Sequence, residues 1–98
     1  MLHSNANEKS IKELITELLS TYRLGGKLNE TRLIGKWNDV VGKIIASHTR
    51  NLYISNKKLF VTIDSSVVRS ELMYSKEKLI NRLNRAVGSE VIVDIIFK

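Results

Sequence analysis

The sequence has no cysteine and no proline. Without cysteine, a disulfide scaffold, a thiolate metal site and a cysteine nucleophile are excluded, and the fold must stand on its hydrophobic core. Aromatic residues make up only 6% of the chain, with a single tryptophan. The only histidines are His3 and His48. No HExxH, Walker loop, GxSxG or paired-acid motif occurs, so the groups that catalysis or metal binding requires are missing. A non-enzymatic protein with no metal and no cofactor is therefore expected. Apolar runs are short: Ile44–Ala46 and Ile95–Phe97 are among the longest. A signal peptide needs an apolar stretch of about 7 to 15 residues, and a membrane span about 18. A cytoplasmic protein without membrane contact or a small-molecule substrate follows as the expectation. Acid is also scarce, with 10 Asp and Glu against 16 Lys and Arg, a formal charge of +6. That excess favours an acidic partner, nucleic acid or an acidic protein surface.

What is present fits one small domain. The chain has 98 residues, 43% of them hydrophobic. Residues 1–7 read as a flexible N-terminus and residues 8–98 as a single domain. A domain of this size buries only about 60 to 65% of its unfolded surface, so nearly every apolar residue must contribute.

Periodicity divides the domain into elements. Ile11, Leu14, Ile15, Leu18, Leu19 and Tyr22 recur at helical spacing, with Asn7 or Ser10 as cap and Gly25-Gly26 as the stop. A short helix capped by Asn29 follows. Trp37, Val40, Val41, Ile44, Ile45 and His48 then repeat the helical pattern, with Gly42 inside that helix as a point of close approach. The period next changes to two. Leu52 and Ile54, then Leu59, Val61 and Ile63, alternate with Tyr53, Phe60 and Thr62 around the polar turn Asn56-Lys57. Asp64-Ser65-Ser66 is a helix N-cap signal, and the helix after it runs to about Ala86, stopped by Gly88. Val91, Val93 and Ile95 form a last strand, apolar on both sides near its end and so central or covered. The fold class is α+β: two N-terminal helices, a β-hairpin, a long helix and a final strand, the three-stranded sheet carrying helices on one face.

The long helix holds the main candidate site. Lys78, Arg82 and Arg85 share one face at i, i+4 and i+7, with Tyr74 one turn earlier. Like charges so spaced repel, by about 0.2 to 0.5 kcal/mol per i,i+4 pair, and a polyanion would relieve that. The stripe is either a solvated face diluted by Glu71 and Glu77 or a nucleic-acid contact. Arg50, Lys57 and Lys58 near the hairpin are further nucleic-acid candidates. Lys76 and Arg69 fall within the apolar arc formed by Val68, Leu72, Met73, Leu79, Ile80 and Leu83. They either snorkel past the sheet edge or mark a partner surface. Tyr53, Phe60, Arg69, Tyr74 and Lys76 are the partner-binding candidates. Trp37, in register with Val40, Val41 and Ile45, reads as core and not as a base-stacking platform. His48 reads as a core or capping histidine.

The run W-x-x-V-V-G-x-x-I-A-x-H-T, from Trp37 through Val41 and Gly42 to His48 and Thr49, carries a resemblance. So do Leu59–Ser66, Glu71-Leu72, Lys76, Leu79–Leu83, Gly88 and Val91–Phe97. Together they resemble the DciA family of bacterial proteins over residues 8–98. The resemblance implies a domain like the type II KH fold. It also implies a non-enzymatic role in DNA replication, in which the protein binds the replicative DNA helicase and DNA and assists helicase loading or activity. The chain departs from the pattern in three ways. Val68 stands where many relatives carry a second tryptophan. The sequence ends at Lys98, whereas longer relatives continue into a tail that can contribute to helicase contact, a mode this chain is expected not to use. No GxxG occurs, so the backbone clamp of RNA-binding KH domains is missing and DNA binding, expected on a single strand with low sequence specificity, must rest on basic side chains. An RNA-binding KH-like or ribosome-associated module, and a plain protein–protein adaptor, are the competing readings. The charge is also uneven: residues 50–98 carry a net +4, residues 1–49 a net +2.

Overall fold

A computed structural model describes residues 11–15 and 24–98, with side chains from residue 26 onward in the second stretch. Residues 11–15 are helical, as their spacing predicts, and Ile11, Leu14 and Ile15 are about half exposed. The remainder of that predicted helix, its caps Asn7 and Ser10, and the N-terminal seven residues lie outside the described residues.

Helix α1 spans Leu24–Val41 and the one-turn helix α2 spans Lys43–Ser47. Strands β1, Thr49–Ser55, and β2, Lys58–Ile63, form the hairpin. Helices α3, Ser66–Tyr74, and α4, Lys76–Val87, lead to strand β3, Asp94–Phe97. The order is that expected for an α+β domain and is compatible with a KH-like arrangement.

Several boundaries differ from the expectation, each for a physical reason. Gly25 and Gly26 do not stop a helix; they lie in the first turn of α1. Each glycine costs a helix about 1 kcal/mol against alanine, and the burial of Leu33 and Trp37 one turn apart outweighs it. Asn29 is likewise inside α1 and caps nothing. Gly42, expected within a helix, separates two. Its φ of 88° is the left-handed region that favours glycine. No heavy atom lies within 4 Å of where a Cβ would stand, so the glycine serves the backbone bend and not a close approach. Ladder bonds persist on both sides of it, Gly42 N–H to the Asn38 carbonyl (2.9 Å) and Ala46 N–H to the Gly42 carbonyl (3.0 Å), so the break is a kink.

The long helix also breaks, at Ser75, which has φ −102° and ψ 13°. The apolar arc continues across the break, with Val68 and Leu72 before it and Leu79, Ile80 and Leu83 after it packed on the core, but Met73, expected within the arc, is 57% exposed. Ser65 caps α3 through its hydroxyl, which accepts the Val68 N–H at 3.3 Å. Gly88 closes α4 in the left-handed conformation, as anticipated.

The sheet order is β1-β2-β3, with β1 antiparallel and β3 parallel to β2. β3 is therefore an edge strand, not a central one; it is covered on its helix side, where Ile95 is fully buried. It begins at Asp94, three residues later than the apolar pattern suggests. Val91 and Ile92 are buried without joining the sheet because the Asn84 side chain takes up their backbone groups. Its Oδ1 accepts the N–H of Val91 (2.9 Å) and of Ile92 (3.1 Å), and its Nδ2 donates to the Ile92 carbonyl (2.8 Å). At the hairpin, Asn56 (φ 51°) and Lys57 (φ 62°) both adopt positive φ, the signature of a type I′ turn.

The core lies between the sheet and the helices. Leu33 and Trp37 of α1, Leu59, Val61 and Ile63 of β2, Leu72 of α3, Leu79, Leu83 and Val87 of α4, and Ile95 of β3 are all buried there. Asn51, Tyr53, Lys58, Phe60, Thr62 and Ile96 alternate with these core residues along the strands and so occupy the helix-free face.

Candidate functional site

Burial of Leu79, Leu83 and Val87 fixes the rotation of α4 and turns Lys78, Arg82 and Arg85 outward, all three exposed. None of the three enters an ion pair among the described residues. Lys78 and Arg82 flank a shallow groove of about 140 Å³ whose floor includes Val40, Val41 and Ile45 from α1 and α2, and Leu72 and Leu79. The basic stripe therefore borders the seam between the two helical pairs. Tyr74 is carried by a different helix. It belongs to α3, beyond the break at Ser75, and is 94% exposed beside Met73 and Ser70.

The other basic candidates are arranged differently. Arg50 is exposed but paired: its guanidinium meets the Asp64 carboxylate, which also accepts the His48 Nδ1–H at 2.7 Å. The His48 ring and the Arg50 guanidinium hold the Asp64 carboxyl below the usual carboxylate range. His48 is thus both the C-cap residue of α2 and a tether to the start of α3. Lys57 and Lys58 are exposed at the hairpin end. Lys57 borders a cleft of about 610 Å³ shared with Glu30 of α1. Lys58 alternates with buried Leu59 and lies on the helix-free face, opposite Asp94 in register. The six basic candidates therefore do not converge on one patch. One is neutralised, two sit at the hairpin, and three line α4.

The partner candidates also divide. Arg69 is half-buried and donates to the Ile63 carbonyl at 2.8 Å, closing the C-terminal end of β2. Lys76 passes the sheet edge to reach Asp94 at 3.2 Å. The Ile95 backbone N–H at 2.8 Å and the Lys76 ammonium lower the Asp94 carboxyl from its ordinary range. Tyr53 and Phe60 stack in parallel on the helix-free face, ring centroids 4.7 Å apart and planes 6° apart. Lys98, which was not among the sequence candidates, places its Nζ 5.3 Å from the Phe60 centroid. Alternation from Ile96 would have marked it as lying on the same face. Within the Trp37 motif, Trp37 is fully buried, Val41 is half-buried at the groove, and Gly42 supplies the kink.

Among the described residues, no group of three or more His, Cys, Asp or Glu could hold a metal ion. No helix among them is long and apolar enough to cross a membrane.

The family model described as "Dna[CI] antecedent, DciA" matches residues 10–97. A UPF0232 protein of Corynebacterium glutamicum (strain R) is 34% identical over 59 residues, covering 60% of this chain and 33% of that protein. A UPF0232 protein of Mycobacterium ulcerans (strain Agy99) is 26% identical over 83 residues, covering 85% of this chain and 44% of that protein. The matches thus span between a third and a half of the length of these curated relatives.

Proposed function

The chain belongs to the DciA family, a replication-related family of the helicase-loader type, and from that premise we propose that it is a non-enzymatic accessory protein that binds the replicative DNA helicase and DNA in the cytoplasm. The DNA half of this reading rests on one observation: Lys78, Arg82 and Arg85 are exposed on a single helix face with no acidic partner among the described residues. Adjacent cations repel one another, and of the three only Arg85, in the last turn of α4, is favoured by the helix dipole, whereas a phosphate backbone gathers all three with release of counterions. Sequence specificity is low on this reading, since side chains that meet phosphates position a protein without reading bases. The helicase half rests on family membership.

Pull-down with the purified replicative helicase at modest salt tests the first half; absence of retention defeats it. Binding to a labelled single strand tests the second half, and an affinity that does not fall with added salt defeats it.

A further inference from the structure

The helix-free face of the sheet carries features that the fold does not require. Phe60 is held on one side by the parallel ring of Tyr53 and on the other by the Lys98 ammonium reaching from beyond β3. Tyr53 lies on the edge strand β1 and is 42% exposed. Its inner ring face meets Phe60, and its outer face has no stacked partner among the described residues. The ring is already fixed by its neighbour, so a further planar group stacking on it would immobilise little. The surrounding charge is net positive. Lys58 and Lys98 stand on this face with a single acid, Asp94, which lies opposite Lys58 and is shared between it, Lys76 and the Ile95 N–H. Asn51, Ser55 and Thr62 complete the surface with small polar groups.

We propose that this face binds single-stranded DNA by stacking a base on the outer side of Tyr53, with Lys58 meeting the adjoining phosphate. The inference rests on the DNA-binding reading above and adds a second surface, on the opposite side of the domain from α4. A single strand is the occupant because its bases present free π-faces, which a duplex has already paired with one another.

Fluorescence anisotropy tests this with three probes: an oligothymidylate, an abasic strand of equal length and a duplex. Tyr53→Ala weakens oligothymidylate binding by about 5- to 150-fold, the range of one base–aromatic stack. It leaves the abasic strand, the duplex and the salt slope unchanged, because the tyrosine carries no charge. Tyr53→Phe retains binding. Tyr53→Leu keeps apolar bulk on the strand, serves where the alanine variant melts early, and shows the same loss. Wild-type affinity in Tyr53→Ala, an equal loss on the abasic strand, or a loss in Tyr53→Phe would each overturn the proposal. If the α4 variants alone weaken binding, the function proposed above stands and this surface falls. If the wild-type protein binds no DNA at all, both fall together.

Discussion

Trp37 donates its indole N–H to the Thr49 hydroxyl at 3.0 Å, and that hydroxyl donates to the Ile45 carbonyl at 2.8 Å. The relay ties α1 to the first residue of β1 across the kink at Gly42. It also gives the fully buried indole its polar partner. Thr49→Val keeps the shape and removes the acceptor, leaving a buried N–H unpaired at a cost of about 1 to 3 kcal/mol. Trp37→Ala costs about 3 to 5 kcal/mol, a large part of the roughly 5 to 15 kcal/mol that holds a small domain together. Urea denaturation followed by circular dichroism measures both. A Thr49→Val midpoint equal to wild type would show that the hydroxyl carries no weight.

The Asp64 carboxylate predicts how stability depends on pH. Its folded pKa lies below the ordinary 3.8, because His48 hydrogen-bonds it and Arg50 pairs with it. A group with a depressed folded pKa contributes stability above its unfolded pKa and loses it as pH falls through the folded value. Wild type and Asp64→Asn therefore differ most near neutral pH and converge in strong acid, below the ordinary carboxylate range. Thermal melts across that range check it; a gap that stays constant with pH would remove the ionised carboxylate from the account. The same variant releases Arg50 from its ion pair at the end of the hairpin away from the turn, so DNA affinity rises slightly if that end meets phosphate.

The contrast between the hairpin and the last strand shows which features were legible in the sequence. Leu59, Val61 and Ile63 alternate cleanly with Phe60 and Thr62, and that period fixes both the hairpin and the face on which the aromatics stand. Val91 and Ile92 look like strand because they are apolar, yet their backbone partner is the side chain of Asn84, seven and eight residues back. No periodicity reports a side chain acting in place of a strand. The breaks at Gly42 and Ser75 were hidden for a related reason, since the apolar spacing continues through both while only the backbone turns. At the candidate site, the α4 stripe was readable because helix geometry alone sets it. The pairing of Arg50 with Asp64 was not, because those residues meet only once β1 pairs with β2.

The α4 stripe predicts a particular salt response. Changing Lys78, Arg82 and Arg85 together to glutamine lowers affinity for a single strand. It also makes the log–log salt slope shallower by about 0.7 for each phosphate that the variant no longer neutralises. The three side chains are exposed, and the relief of their mutual repulsion is offset by the loss of Arg85 from the last turn of α4, so the melting temperature changes little. Reduced affinity with an unaltered slope would mean that the stripe acts through something other than phosphate.

Lys57 sets stability against binding. It occupies the second central position of a type I′ turn at φ 62°, where a side chain with a Cβ costs about 1 to 2 kcal/mol against the right-handed region and glycine does not. Glycine also adds freedom to the unfolded chain, which returns part of that gain, so Lys57→Gly raises stability by about 0.5 to 1 kcal/mol. The backbone bond from Val93 N–H to the residue-57 carbonyl, 2.8 Å in the wild type, needs no side chain and survives. Lys57→Gln removes the charge without relieving the turn. If Lys57 meets a phosphate, both variants weaken DNA binding and flatten the salt slope by the same amount, about 0.7, while only the glycine variant melts later. Chemical denaturation and anisotropy on the two proteins separate the effects. A glycine variant that is both more stable and undiminished in DNA affinity would remove Lys57 from the interface and leave the turn residue as a liability that the fold merely tolerates.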